Sequence, residues 1–195
     1  MNSKTIHNVS DYIHLISEIR HQNLESVNYP GFRAISSWQA YQIYMEVNIQ
    51  KLGTGDLEKL KKLILLFEDV FEMEAFTMPE DGYLRDLLAK EGFYVFVAEK
   101  EGEVLGGLTA YSLAQYYNTS PLVYIYDLAV HTRFQRKGIG RQLISGILDY
   151  CRGMGVEEVF VQADEADDYA IDFYRSTGGK PENAVHFCYP LREGK

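Results

Sequence analysis

Beyond residue 46, apolar residues fall into short runs separated by stretches in which they recur at helical spacing. Glu46 to Lys51 alternates and is predicted to be a first strand. Thr54-Gly55-Asp56 punctuates it, and Asp56 is placed to cap a helix whose buried stripe is Leu57, Leu60, Ile64, Phe67 and Phe71. Met78 to Gly82 is a loop, and Tyr83 to Lys90 a second short helix. Phe93 to Glu99 and Val104 to Tyr111 are two strands joined by Lys100-Glu101-Gly102-Glu103, a hairpin signal. Gln115 to Pro121 is polar loop; Leu122 to Val130 is an apolar run of the length of a buried strand. From about Gly138, apolar residues at Ile139, Leu143, Ile147 and Tyr150 mark an amphipathic helix. Val156 to Ala163 is a further strand, Tyr169 to Ser176 a helix closed by Gly178-Gly179, and Val185 to Tyr189 a last strand.

This order, β, α, α, β, β, β, α, β, α, β, predicts an α/β fold with a mixed sheet, without the regular alternation of a dinucleotide-binding domain. Residues 1–45 stand apart from it. Ser10 and Asp11 can cap a helix with apolar positions Ile13, Ile16 and Ile19; Tyr29-Pro30-Gly31 is a turn; Trp38, Tyr41 and Tyr44 again have helical spacing. The expected organisation is an N-terminal helical extension over 1–45 and one main domain over 46–195.

Composition narrows the classes. With 195 residues, 46% of them hydrophobic, the chain can bury a sizeable core. A net charge of −9 argues against general nucleic-acid binding and favours cationic partners. Cys151 and Cys188 lie in apolar surroundings and read as reduced core thiols of a cytoplasmic protein. No stretch has the length of a membrane helix, and the polar N-terminus has no signal-peptide apolar region. No metal-ligand spacing occurs, so no metal is implied.

Against this acidic background, the turn between the central strand and its helix is basic: Arg133, Arg136, Lys137 and Arg141 surround Gly138 and Gly140. A turn that opens a helix leaves backbone N–H groups unpaired, and the helix dipole adds positive potential there. Such a turn can hold a phosphate or pyrophosphate. Glycine without Cβ allows close approach to the backbone. Neither the Rossmann glycine fingerprint nor a Walker P-loop is present. An ordinary strand–turn–helix with surface cations is the alternative.

The spacing Gln135-x-x-Gly138-x-Gly140, the strand ending Leu128-Ala129-Val130 and the block Ala170-Ile171-Asp172-Phe173-Tyr174-x-x-x-Gly178 together resemble the GNAT superfamily of N-acetyltransferases. Tyr124 to Val130, Val161-Gln-Ala-Asp164 with Asp167-Asp168, and His186-Phe187 are similar to GNAT-type aminoglycoside 3-N-acetyltransferases over roughly residues 60–190. The resemblance implies that two neighbouring strands, Leu122 to Val130 and Val156 to Ala163, splay apart around acetyl-CoA, and that a bulge and the splay free backbone groups that would otherwise be paired. It implies that backbone groups of Leu128, Ala129 and Val130 pair with the pantetheine arm. The loop Gln135, Arg136, Lys137, Gly138, Ile139, Gly140 and Arg141 would hold the pyrophosphate. It also implies a tyrosine at the CoA sulfur, Tyr174, and, since relatives are often dimers, a possible homodimer.

The chemistry asks for matching groups. Acetyl transfer to an amine needs a neutral nitrogen and a stabilised departing thiolate. Asp127 lies on the central strand where the thioester would sit, and an acid inside an apolar run is costly to bury without purpose. It is the candidate base; fixing a turn or pairing with an arginine is the alternative. Tyr174 is the candidate donor to sulfur, the alternative being a core aromatic beside Phe173. Asp164, Glu165, Asp167 and Asp168, followed by Asp172, can contact a cationic acceptor, or can cap and complement a helix N-terminus. Tyr126 can line the amine site or simply pack. The expected activity is direct acetyl transfer from acetyl-CoA to a small polycationic amine, an aminoglycoside 3-amino group first. A polyamine, a protein lysine, or a non-catalytic acyl-CoA-binding regulator are the alternatives.

Overall fold

The computed structural model describes residues 47–191. The predicted N-terminal helices therefore lie outside the described residues. The elements are β1 (Asn48–Lys51), α1 (Leu57–Val70), α2 (Asp81–Ala89), β2 (Phe93–Lys100), β3 (Glu103–Leu113), β4 (Leu122–Val130), a 3-10 turn (Thr132–Phe134), α3 (Ile139–Gly153), β5 (Glu158–Val161) and α4 (Asp168–Ser176). The five strands form one sheet in the order β1-β2-β3-β4-β5. Neighbours are antiparallel except β4 and β5, which run parallel. This is the α/β mixed-sheet fold that the pattern predicts.

Local chemistry explains the joints. Glu101 and Gly102 both have positive φ, 52° and 82°, the conformation of the two-residue turn that matches strand twist. The β2–β3 hairpin therefore closes where the sequence signal placed it. Strand alternation then sorts side chains to two faces. Phe96, Leu108, Val123 and Ile125 pack with Ile139, Leu143 and Ile147 of α3. Val95, Val97 and Ala129 pack with Leu57, Leu60 and Leu63 of α1 and Leu84 of α2. Each fully buried aliphatic side chain of this kind stabilises the fold by about 1.5–3 kcal/mol. Among the described residues no helix is long and apolar enough to cross a membrane.

Two expectations are corrected. Val185 to Tyr189 form no strand; Val185, Phe187 and Tyr189 are each at least 73% exposed. Alternation is necessary for a strand but not sufficient, because a strand also needs an edge to pair with. The segment docks on none, and β5, only four residues long, stays the edge of the sheet. For the same reason Cys188 is exposed rather than a core thiol, whereas Cys151 is buried and burial pushes its thiol pKa up.

Candidate active site

The site is built on a defect in the sheet. Along β3 and β4, Thr109 opposes Asp127 but the next residue, Ala110, opposes Ile125. Tyr126 is thus the extra residue of a β-bulge. A bulge breaks alternation, so consecutive residues can project to the same side. Tyr126 meets the rings of Tyr111 and Tyr124, while Asp127 meets Thr109, which alternation places on the same face of β3 as Tyr111. Tyr124, Tyr126 and Asp127 therefore gather on one side of the sheet.

The bulge also marks where β4 and β5 part. Their register runs from Leu122 opposite Glu158 to Ile125 opposite Val161 and goes no further. From Tyr126 to Val130, β4 has no β5 residue beside it. Ala129 and Val130 bury their side chains in the two cores, and Leu128 is half-buried. What these three residues present to the gap is backbone, which can hydrogen-bond an extended ligand as a strand would.

Past β4 the chain turns tightly. Gln135 Nε2 donates to the Val130 carbonyl (3.1 Å), tying the loop to the strand end. Arg136 has a left-handed backbone, φ 60°, and Gly138 follows with φ 85° as the N-cap of α3. Left-handed residues just before a helix turn successive N–H groups toward a common centre, an anion-binding concavity. Gly138 has open space around it. Gly140 does not: a Cβ there would lie 3.0 Å from the Phe173 ring. Its small size thus lets α4 pack against the start of α3. Ile139 is 1% exposed, so it anchors α3 in the core and offers a ligand only its N–H.

α4 is held against this loop by two further contacts. Arg136 stacks over the Tyr169 ring (4.5 Å), and the Arg141 guanidinium donates to Ser176 Oγ (3.3 Å). Asp167 caps the helix, accepting from the Ala170 N–H (2.9 Å). Gly178, at φ 99°, ends it. Lys137 lies over Phe134 (5.1 Å).

Electrostatics connect β4 to α4. Burial raises the Asp127 pKa above its ordinary value, and the hydrogen bond from Thr109 Oγ1 (3.4 Å) lowers it in part. The Tyr174 pKa is pushed up to about 12, first by burial, then by the charges of Asp127 and Asp167. Tyr174 is therefore protonated at any working pH and is within electrostatic reach of Asp127. Tyr111 and Tyr124 are likewise raised, first by burial and then with contributions from Tyr126 and Asp127.

The predicted site residues divide. Asp127, Tyr126, Leu128, Ala129 and Val130 line the β4 side of the gap, Tyr174 comes from α4, and 135–141 form the loop between. In the acidic loop, Asp164 accepts from the Ala166 N–H (3.0 Å) and Asp167 caps α4, so two of its acids serve local structure. Asp164, Glu165, Asp167 and Asp168 are all exposed. Sequence reasoning missed Thr109, which is 9% exposed. A lone hydroxyl within the run Val104-Leu-Gly-Gly-Leu-Thr-Ala-Tyr111 was the available signal.

The family model of the Acetyltransferase (GNAT) family matches residues 60–178. The chain belongs to the GNAT family of acetyltransferases. An aminoglycoside acetyltransferase from an uncultured soil metagenomic sample, solved in complex with sisomicin, is 52% identical, with 75% of this chain and 97% of that one covered and a TM-score of 0.73. A second soil metagenomic aminoglycoside acetyltransferase is 32% identical, covering 75% of this chain and 99% of that one, with a TM-score of 0.71. An uncharacterized N-acetyltransferase of Bacillus subtilis is 22% identical over 73% of this chain and 96% of its own length.

Proposed function

We propose that the chain transfers the acetyl group of acetyl-CoA directly to a polycationic amine, an aminoglycoside at its 3-amino group. The observation that carries this is the parting of β4 from β5 after Ile125, flanked by Asp127 on one element and Tyr174 on another. The 52% identical relative bound to sisomicin supports an aminoglycoside as acceptor. The 3-position rests on the motifs at 124–130 and 161–168.

In this scheme the diphosphate lies on the N–H groups of 136–141, and the pantetheine arm runs along the backbone of 128–130. Asp127, ionised, takes the proton of the attacking amine. The nitrogen–carbonyl bond forms as the carbon–sulfur bond breaks. The Tyr174 phenol hydrogen-bonds the departing sulfur. Held near 12, it lies well above an ordinary thiol, so complete proton donation would be uphill and the thiolate is protonated from solvent. Tyr126 and the acids at 164, 165, 167 and 168 face the acceptor's ammonium groups.

A thiol-release assay with acetyl-CoA and sisomicin, spermidine or a lysine peptide tests the scheme. Release with sisomicin, and a product acetylated at the 3-amino group by NMR, is expected. Release only with the peptide, or with none of the three, contradicts it.

Two variants probe its parts. In Gly138→Ala the free loop relaxes away from φ 85°, and restoring that geometry on binding costs about 1–2 kcal/mol. The variant's dissociation constant for acetyl-CoA should rise about 10-fold by calorimetry; an unchanged value would remove the loop from the scheme. Thr109→Val removes the bond that lowers the Asp127 pKa. Since the base acts ionised, the acidic limb of the kcat/KM profile should move to higher pH, and an unmoved limb would sever the pair.

A further inference from the structure

An aromatic row crosses the sheet beside Asp127. Phe93 of β2 meets Tyr111 of β3 (centroids 5.0 Å), Tyr111 meets Tyr126 of β4 (5.8 Å), Tyr126 meets Tyr124 (5.9 Å), and Tyr124 stacks on Phe160 of β5 (5.0 Å). Two of these contacts follow from strand register: Phe93 opposes Tyr111, and Tyr124 opposes Phe160. The bulge adds the middle ring. Four strands thus share one continuous band of rings, spaced at 5.0 to 5.9 Å.

The band is anchored at one end, where Phe93 is buried in the α1–α2 core, and open in the middle, where Tyr126 is 60% exposed. Exposed tyrosines ordinarily turn freely. Tyr126 stands nearly perpendicular to both neighbours, at 83° to Tyr111 and 82° to Tyr124, so two edge-to-face contacts fix its ring. Tyr124 is fixed again through its hydroxyl, which donates to Gln162 Oε1 (3.2 Å). A ring that is both held and exposed is prepared for a ligand at little further entropic cost. Packing alone accounts for Phe93 but leaves most of Tyr126 without a partner.

We infer that this band is the acceptor floor, with Tyr126 and Tyr124 receiving an ammonium-bearing sugar ring by cation–π contact while Asp127 stands at its edge. The inference rests on the function proposed above and adds the determinant of acceptor binding to it. Charge supports this occupant. Asp127 directly follows Tyr126, the band's middle ring, the acidic loop follows β5, and the chain carries a net charge of −9. Ammonium groups are attracted to ring faces, and more so when partly desolvated. The width of the band, several rings long, suits a multi-ring polycation better than one extended alkyl amine.

The test compares Tyr126→Leu and Tyr126→Phe in steady-state kinetics with sisomicin and acetyl-CoA. Leucine keeps apolar bulk and removes the ring face; phenylalanine removes only the hydroxyl. The Leu variant should raise KM for sisomicin about 10-fold with little change in KM for acetyl-CoA. The Phe variant should restore most of that loss. An unchanged sisomicin KM in the Leu variant overturns the floor while leaving acetyl transfer in place, as does a Phe variant as impaired as Leu. A rise in both KM values together also overturns it, because it would mark a structural role. If the wild-type protein acetylates no polycationic amine, the proposed function itself fails and the floor falls with it.

Discussion

Replacing Asp127 with asparagine is expected to lower kcat/KM for acetyl transfer by about 10²- to 10⁴-fold, the usual span for a general base. Asparagine keeps the size of the side chain and can still accept the hydrogen bond from Thr109, so the fold should survive. What is lost is the ability to take a proton. The wild-type rate should rise with pH as Asp127 ionises, at a pH above the ordinary aspartate range because burial raises its pKa. That limb should vanish in the variant. Stability should move the opposite way. With the folded pKa above the unfolded one, the folded state binds more protons between the two values. Its stability therefore falls as pH rises through that window and is lower above it. The amide of the Asp127→Asn variant never ionises, so the variant's melting temperature should match the wild type below the window and exceed it at neutral pH. A loss of activity together with a gain in stability would identify a group retained for chemistry. A near-normal kcat/KM across pH would remove Asp127 from the base role.

Tyr174→Phe should lower kcat by about 10²-fold, comparable to the loss of one preorganised donor at a developing anion. The KM for acetyl-CoA should change little, because the phenol meets sulfur most strongly as negative charge develops there. Burial keeps the phenol protonated, near 12, so no tyrosine ionisation should appear in the activity profile below that pH. Burst or single-turnover kinetics would separate chemistry from product release. A kcat equal to wild type would leave Tyr174 as a packing residue of α4.

Much of the fold could be read from period and punctuation. The hairpin at Glu101-Gly102, the stripe Ile139, Leu143, Ile147 and the stop at Gly178 each depend on neighbours in sequence, and each stands where local chemistry put it. The basic loop was legible for the same reason, since glycines, cations and a following helix lie within nine residues, 133–141. Features that depend on register were not legible. The family resemblance implied a bulge on this strand, but its place at Tyr126 is set by how β3 and β4 pair, and no residue of Tyr124-Ile-Tyr-Asp-Leu announces it. Thr109 becomes a partner of Asp127, and Phe160 of Tyr124, only across strands. Gly140 pointed to a ligand by motif, yet the atom it makes room for belongs to Phe173, 33 residues on. Val185 to Tyr189 misled because alternation records a capacity to pair, not the presence of an edge to pair with.

The most direct test of the proposed cofactor site is amide mapping of the isotopically labelled protein titrated with acetyl-CoA. The largest shifts are expected at residues 136–141 and 128–130, with Asp127 and Tyr174 affected and the β1–β2 side of the sheet silent. Saturable binding whose shifts lie elsewhere, with the amides of 136–141 unmoved, would contradict it.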